Sequence, residues 1–257
     1  MSLKRQSEIL QIVRSRGSYS ISELASRMAV STETIRRNIQ PLIESGALLR
    51  FHGGIMAPEA TDEPPFQRRM QVNSIGKRAV ATLVRDRVQD GDSLILDNGT
   101  TSAYVADALA GHSRLTVVTH SVEIAHRLAG RNGNRVFLAG GELGEDGSAL
   151  GPATIGFIRQ FQVRYALVSV GGVTLSGDFG DFHLHEAEFA RVSIEQAQEA
   201  WVIADLSKFG REAPVRVCGL SAVDAVAVDG RPPAGFAERC REEGVRLLTS
   251  DTEPVAA

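Results

Sequence analysis

The sequence has few cysteines and no long apolar run. Cys218 and Cys240 are the only two cysteines among 257 residues, and their spacing excludes a Cys-x-x-Cys motif. Each is expected to be a small buried side chain rather than a zinc or redox group. No stretch reaches the ~18 apolar residues of a membrane span. Charges at Lys4, Arg5 and Glu8 interrupt any signal-peptide core. We therefore expect a soluble, cytoplasmic protein that does not bind membranes.

The charge of the chain is nearly balanced overall but unevenly distributed. The formal net charge is −3, yet residues 1–56 carry +4 and residues 57–257 carry −7. With 43% apolar and 23% charged residues, the chain is globular and long enough for one large or two unequal domains. The basic N-terminal part indicates a polyanionic partner such as nucleic acid.

The first 56 residues have the pattern of a winged helix-turn-helix domain. Apolar spacing predicts a helix over residues 3–16, and Ser20 with Glu23 forms a capping-box pattern before a short second helix. Ser31 can cap a third helix soon afterwards, which is the spacing of a helix-turn-helix. Residues 48–51, a glycine turn and residues 55–56 then predict a two-stranded wing.

In such a domain, the start of the recognition helix enters the major groove, where short polar side chains and arginines contact bases and phosphates. The recognition helix and the wing supply the predicted contacts to double-stranded operator DNA: Ser31, Thr32, Thr34, Arg36, Arg37, Arg50 and His52. A solvated helix start would show a similar pattern, so the prediction depends on the helices and the wing occurring together.

Two features follow or interrupt this domain. Pro41 lies inside the recognition helix, where it removes a backbone donor, so we expect a bend near Arg37. Residues 57–66 are rich in proline and acidic residues and predict an extended linker, which we place at residues 57–73.

Residues 74–257 predict an α/β domain with a mostly parallel sheet. An amphipathic helix over residues 74–88, with Ile75 on its apolar face, precedes buried runs that alternate with helical segments. The predicted strands cover residues 93–97, 115–119, 135–139, 165–170, 201–204, 215–217, 225–228 and 245–248.

Small polar residues and one lysine follow several of these strands. In parallel sheets, ligands bind at the carboxyl ends of the strands, where helix N-termini and loop amides converge. Each segment alone has the composition of an ordinary turn. Together they predict a site for a small phosphorylated ligand rather than a nucleotide, because the sequence has no glycine-rich phosphate loop. The candidate effector-binding residues are Asp97, Gly99, Thr100, Thr101, Thr119, Ser121, Gly140, Gly141, Glu186 and Lys208.

His183, His185 and Glu186 form a second local group. A His-x-His pair in a strand would place both imidazoles on one face, as a metal site requires. No cysteine or further acidic residue has the matching spacing. We therefore predict no metal and no cofactor, and we consider ligand contacts from Glu186 or His183, or simple exposure to solvent.

Several motifs resemble the DeoR family of bacterial transcription repressors. In the N-terminal part, the similar segments are Ser22-Glu-Leu-Ala25, Thr34-Ile-Arg-Arg37 and His52-Gly-Gly54. In the remainder they are Leu96-Asp-x-Gly-Thr-Thr101, Val118-Thr-x-Ser121, Ala139-Gly-Gly-Glu142 and Asp205-x-Ser-Lys-Phe209. The resemblance implies a sensor domain that resembles the ribose-phosphate isomerase fold and binds phosphorylated sugars. A narrower set, including Phe157-Ile-x-Gln-Phe161 and His185-Glu186, is similar to members that regulate glycerol 3-phosphate catabolism.

The chain departs from the family pattern at three positions. Asn38 stands where the family usually has Asp, Gly172 where many members have Asp, and Gly144 where an Arg is often found. The last two departures leave the family's sugar and phosphate contacts open for this chain.

These observations favour a ligand-responsive repressor that is not an enzyme and acts as a homodimer or homotetramer. A sugar-phosphate isomerase with an accessory DNA-binding domain is the alternative, with Asp97 or Glu186 as its base. An activator with the same parts would have the same sequence features.

Overall fold

The computed structural model describes residues 2–16, 18–44, 47–51, 54–56 and 65–250. The chain divides into two compact units, residues 1–73 and residues 74–257. Residues 57–64 of the predicted linker lie outside the described residues, as do His52 and Gly53, and residues 66–71 of that segment form a helix rather than an extended chain. Among the described residues, no helix combines the length and the apolar character that crossing a membrane requires.

The N-terminal unit has the predicted three helices and hairpin, with one further strand and one further helix. Its elements are α1 (Ser2–Arg16), β1 (Ser18–Ser20), α2 (Ile21–Arg27), α3 (Thr32–Glu44), β2 (Leu49–Phe51), β3 (Gly54–Met56) and α4 (Phe66–Gln71). The strands form one antiparallel sheet in the order β1-β3-β2. Ile9, Leu24, Ile35 and Ile39 lie in its fully buried core.

The close pairing of β1 and β3 requires glycine at position 54. A Cβ atom on Gly54 would lie 2.3 Å from the carbonyl oxygen of Tyr19, closer than any real contact. The wing therefore packs directly against the strand that precedes α2. This third strand was not predictable from the sequence, because three residues carry too little periodicity.

The C-terminal unit is an α/β domain, as predicted. Its elements are α5 (Ser74–Arg85), β4 (Ser93–Leu96), α6 (Thr100–Ala108), β5 (Thr116–Thr119), α7 (Val122–Leu128), β6 (Arg135–Leu138), β7 (Glu142–Leu143), β8 (Ala149–Leu150), α8 (Pro152–Ile158), β9 (Val163–Val168), β10 (Gly172–Val173), β11 (Asp178–Asp181), α9 (Leu184–Glu195), β12 (Ala197–Ala204), β13 (Val215–Gly219), β14 (Ala225–Val228), α10 (Phe236–Glu242) and β15 (Arg246–Thr249).

Seven parallel strands form the central sheet in the order β15-β14-β12-β9-β4-β5-β6. Alternate side chains of each inner strand pack into the two hydrophobic cores on opposite faces of the sheet. Leu94 and Leu96 pack with α5, α6 and α7, whereas Ile95 packs with α8 and α9. The strands read as continuous apolar runs because both faces of the sheet are covered.

The strand order reverses between β4 and β9. The chain adds β5 and β6 on one side of β4, then returns to add β9, β12, β14 and β15 on the other. Ligands of open α/β sheets bind where two adjacent connections diverge in this way, beyond the carboxyl ends of the strands. This topology therefore predicts a ligand site at the carboxyl edge of the sheet beside Asp97 and Ser169, which directly follow β4 and β9, and we call this place the crevice.

The structure corrects two details of the sequence prediction. Residues 215–217 belong to β13, which pairs antiparallel with β11 in a separate sheet rather than joining the central one. Ile75 is 83% exposed, whereas Lys77 is 2% exposed. The two residues lie about 200° apart around α5, since each residue turns the helix by ~100°. The buried stripe of α5 is therefore Lys77, Val80, Ala81 and Val84.

Both cysteines are free, with Cys240 buried and Cys218 partly buried. Burial raises the pKa of each thiol to about 11. Both therefore remain protonated at neutral pH, which agrees with a packing role for these side chains.

Candidate functional site

The recognition helix α3 presents an exposed polar surface from its first turn. The hydroxyl of Ser31 accepts a hydrogen bond from the amide of Thr34 at 3.2 Å and caps the helix. Thr32, Arg36 and Arg37 are exposed, and Thr34 is partly buried. The predicted contact residues of α3 therefore occupy one accessible helix start, where amides and guanidinium groups can meet phosphate oxygens.

Two polar contacts organise this surface. Nη1 of Arg36 lies 3.7 Å from Oε2 of Glu33, and both side chains are exposed. Such an exposed pair is weak and can yield to a phosphate. Nη2 of Arg50, in the wing, donates to Oε1 of Gln40 at 3.5 Å, so the wing and α3 lie side by side. Arg36, Gln40 and Arg50 share one concave surface with Ile21, Ser22 and Gly54.

Pro41 does not end α3, which continues to Glu44. The predicted bend near Arg37 stays a prediction. Nδ2 of Asn38 donates to the carbonyl oxygen of Thr34 at 2.8 Å, and Asn38 is 4% exposed. This residue therefore contributes to the interior of the unit, and the exposed surface consists of its neighbours.

The crevice at the carboxyl end of β4 is organised by Asp97, which is 7% exposed. Its Oδ2 accepts from the amide of Ser169 at 2.5 Å and from the Ser169 hydroxyl at 2.9 Å. Its Oδ1 accepts from the amide of Gly99 at 3.2 Å and from the hydroxyl of Ser102. Burial raises the pKa of this carboxyl, while the four hydrogen bonds oppose the rise. Asp97 thus joins the loops that follow β4 and β9.

Gly99 allows these two loops to approach each other. A Cβ atom at position 99 would lie 1.8 Å from the hydroxyl oxygen of Ser169. Gly99 is also the N-cap of α6, whose first turn contains the buried Thr100 and Thr101. The N-terminus of α6 therefore opens at the crevice, and its free amides favour a negatively charged group there.

The predicted residues after β5 and β6 are largely engaged within the protein. The hydroxyl of Thr119 accepts from the amide of Ser121 at 3.1 Å, and that of Ser121 accepts from the amide of Ile124 at 3.3 Å. Gly140 and Gly141 follow β6 and are exposed. A Cβ on Gly141 would lie 2.6 Å from the carbonyl oxygen of Leu150. These residues lie beyond the carboxyl ends of β5 and β6, with Thr119 and Ser121 buried.

A polar group that the sequence did not predict lies between β4 and the β7–β8 hairpin. Nδ2 of Asn98 donates to Oδ2 of Asp146 at 2.7 Å, and the Ser148 hydroxyl donates to Oδ1 of Asp146 at 2.7 Å. Burial raises the pKa of Asp146, but these hydrogen bonds outweigh it and hold the pKa below its usual value. Glu186 is a hydrogen-bond neighbour of the same carboxylate. The structure thus brings the predicted residue Glu186 to this group.

The histidine pair lies at the start of a helix rather than in the strand that a His-x-His metal site would need. His183 is the N-cap of α9 and His185 lies in its first turn. Their rings stack with centroids 5.5 Å apart. Burial, and then the neighbouring His183, lower the pKa of His185. Within the described ranges, no three His, Cys, Asp or Glu side chains are grouped so that they could hold a metal ion.

Comparisons with known proteins follow the same division of the chain. A model described as the DeoR-like helix-turn-helix domain matches residues 5–61, and one described as the DeoR C terminal sensor domain matches residues 72–230. The chain is 34% identical to the glycerol-3-phosphate regulon repressor of Escherichia coli (strain K12), over 95% of this chain and 97% of that protein. The chain belongs to the DeoR family of transcriptional regulators.

Other relatives and solved structures resemble this DeoR-family regulator. A glycerol-3-phosphate regulon repressor of Haemophilus influenzae is 34% identical over 95% of each chain. The HTH-type transcriptional repressor CsqR of Escherichia coli is 31% identical over 95% of this chain and 94% of that protein. The structure of ribose 5-phosphate isomerase A from Methanocaldococcus jannaschii covers 55% of this chain and 56% of its own, with 17% identity and a TM-score of 0.41.

The structure explains one departure of this DeoR-family regulator from the family pattern. Gly172 lies buried in β10, where a Cβ atom would be 2.4 Å from the carbonyl oxygen of Arg211. This backbone therefore has no space for the aspartate side chain that many members carry. At Gly144 a Cβ would lie 3.0 Å from Oδ1 of Asp146, which is tight but less severe.

Lys77 and Lys208 are both almost fully buried in this regulator, at 2% and 8% exposure. Lys208 lies in a short 3₁₀ helix directly after β12, as the sequence indicated. Lys77 was missed, although its spacing from Val80, Ala81 and Val84 places it on the apolar stripe of α5. The sequence therefore contained a signal for this residue. A buried ammonium group needs polar surroundings, so a lysine on an apolar helix stripe indicates a polar site in the interior.

Proposed function

We propose that this protein represses a carbohydrate or glycerol catabolic operon and is released from its operator by a phosphorylated metabolite. The observation that carries the proposal is the pairing of an exposed arginine-bearing recognition helix with a separate sensor unit whose strand-order reversal forms a crevice. The near full-length similarity to repressors of glycerol-3-phosphate regulons supports the same role.

For DNA binding, we infer that the start of α3 enters the major groove and that the wing contacts the backbone. Ser31, Thr32 and Thr34 are short enough to reach base edges, while Arg36, Arg37 and Arg50 neutralise phosphates. His52 is proposed for the tip of the wing. A homodimer or homotetramer would present two recognition helices to half-sites about one helical turn, ~34 Å, apart.

For the effector, we infer that the phosphate group lies at the N-terminus of α6. The amides of this helix, the hydroxyls of Thr100 and Thr101, and the ammonium of Lys208 are the groups that would hold it. Thr119, Ser121, Gly140 and Gly141 form the rim, Glu186 faces the hydroxyl groups, and Asp97 orients the loops. Lys77 is a second candidate cation, since α5 leads directly into β4 and its first turn lies toward the same edge.

We also infer that the crevice binds without catalysis. A base for sugar-phosphate isomerisation needs a lone pair aimed at the substrate. Asp97 already accepts from Gly99, Ser102 and Ser169. Measurable interconversion of ribose 5-phosphate by the purified full-length protein would overturn this inference.

Replacing Lys208 by glutamine is expected to weaken the binding of phosphorylated metabolites by about tenfold or more, because one charge-assisted hydrogen bond contributes ~1.5–3 kcal/mol. The measurement is a thermal-shift titration of the full-length protein with glycerol 3-phosphate and other sugar phosphates. A ligand that binds only the native state raises the melting temperature as its concentration increases. Arg231→Gln, which removes an exposed charge elsewhere, is the control. If no phosphorylated compound shifts the wild-type melting temperature, the effector assignment is wrong.

A further inference from the structure

Three buried polar atoms after β4 and β5 have no hydrogen-bond partner among the described residues. They are Oδ1 of Asn98 and both ring nitrogens of His120. Asn98 is 4% exposed and His120 is 2% exposed. Buried polar atoms of this kind are rare in native proteins, since they have lost water and gained nothing in return. Three of them at one edge of a sheet point to a ligand that supplies the missing hydrogen bonds.

The two side chains are held in place by their surroundings. Asn98 directly precedes Gly99 at the crevice, and its Nδ2 is fixed by Asp146 at 2.7 Å. The ring of His120 packs on that of Phe189, with centroids 3.7 Å apart. The carbonyl oxygen of His120 accepts from the amide of Ala149 at 2.8 Å. A ligand would therefore meet a preorganised set of groups.

The unpartnered atoms define the chemistry of what they can bind. Burial lowers the pKa of His120 to about 3, although Asp146 opposes the change. At neutral pH the imidazole is uncharged, so one nitrogen donates a hydrogen bond and the other accepts one. Oδ1 of Asn98 only accepts. The set therefore requires two donors and one acceptor, which two neighbouring hydroxyl groups supply and a carbonyl oxygen does not.

We propose that Asn98 and His120 are specificity-determining residues that select a phosphorylated alditol over the corresponding phosphorylated ketone. This inference rests on the proposed function and deepens it: the α6 terminus and Lys208 hold the phosphate, while Asn98 and His120 bind the hydroxyl-bearing end. Replacing a hydroxyl by a carbonyl leaves at least one buried acceptor without a donor, which is the arrangement that gives strong discrimination.

The test is calorimetric titration of the full-length protein with two matched pairs of compounds. One pair is glycerol 3-phosphate and dihydroxyacetone phosphate, and the other is erythritol 4-phosphate and erythrulose 4-phosphate, whose ketone cannot close into a furanose ring. In the pair that fits the crevice, the alcohol is expected to bind roughly 10- to 100-fold more tightly than the ketone, as expected when one buried group is left unpaired.

Variants at both positions identify the cause of the preference. His120→Leu and Asn98→Ala are each expected to reduce the ratio of alcohol affinity to ketone affinity to about threefold or less. His120→Asn retains a donor and an acceptor and should preserve part of it. His126→Leu, at an exposed histidine on α7, should leave it unchanged. If His120→Leu does not fold, Asn98→Ala carries the test.

Equal affinities within both pairs, or binding of neither pair, would overturn the inference, and so would an unchanged preference in the folded variants. A buried water molecule that satisfies the three atoms would produce equal affinities. Such results leave the proposed function intact if other phosphorylated metabolites still bind and weaken operator affinity. If no phosphorylated compound binds, the proposed function fails as well.

Discussion

Replacing Arg37 by alanine is expected to weaken operator binding by roughly 10- to 100-fold, because a base or phosphate contact of this kind contributes ~1–3 kcal/mol. Arg37 is exposed in the first half of α3. The measurement is fluorescence anisotropy of the full-length protein on a duplex selected from a random library. If Arg37 contacts a phosphate, the slope of log affinity against log salt also decreases in magnitude by about 1.

Two further variants show whether the effect belongs to the recognition helix. Arg36→Ala is expected to weaken binding in the same direction, because it removes a cation and leaves the nearby carboxylate of Glu33 to repel phosphates. Arg85→Ala removes an exposed positive charge from α5 in the other unit and should change affinity by less than about twofold. Unchanged operator binding by both Arg36→Ala and Arg37→Ala would exclude α3 as the recognition helix.

Asp97→Asn is expected to lower the free energy of unfolding of the C-terminal unit by about 2–4 kcal/mol, although the two side chains are nearly the same size and shape. Each carboxylate oxygen of Asp97 accepts from a backbone amide, Oδ1 from Gly99 and Oδ2 from Ser169. An asparagine amide would direct its own donor at one of these N–H groups in a fully buried site. The measurement is urea unfolding of the full-length protein, with fluorescence of Trp201 as the probe of this unit.

The matched control is Asp86→Asn, at an exposed aspartate whose ion pair with Arg85 lies on the surface. The free energy of unfolding of that variant should stay within about 0.5 kcal/mol of the wild-type value. If Asp97→Asn is as stable as Asp86→Asn, the hydrogen bonds of Asp97 do not hold the crevice together.

Local chemistry made much of the N-terminal unit predictable. Ser20 and Glu23 form the predicted capping box, with the amide of Glu23 donating to the Ser20 hydroxyl at 3.1 Å and the amide of Ser20 to Glu23 at 2.7 Å. These contacts join residues close in sequence, so a pattern of residue types is sufficient. Strand β1 depends instead on pairing with β3, which lies far along the chain.

In the C-terminal unit, buried apolar runs predicted the seven parallel strands, but not the two small sheets. Strands such as β7 and β10 have two residues each. Such strands exist only through their partners, and no period can be read from them. The same limit explains why β13 was assigned to the central sheet: its apolar residues resemble those of a central strand, and only its pairing shows otherwise.

The polar interior of the crevice was only partly predictable. Asp97 and Gly99 were found because small polar residues directly follow a strand. Asn98 and His120 were overlooked within the same segments, because sequence gives no measure of burial or of missing hydrogen bonds. Lys77 could have been found, since a charged residue on an apolar helix stripe is visible in the sequence.

Coupling between the operator site and the effector site can be measured from both sides. The operator affinity of the full-length protein is determined by anisotropy with and without saturating phosphorylated effector, and effector affinity is determined by calorimetry with and without operator. A repressor that its effector releases shows operator binding weakened by about 5- to 150-fold in the presence of effector, and effector binding weakened by the same factor in the presence of operator. Operator affinity that is identical with and without every bound phosphorylated metabolite would exclude such a repressor.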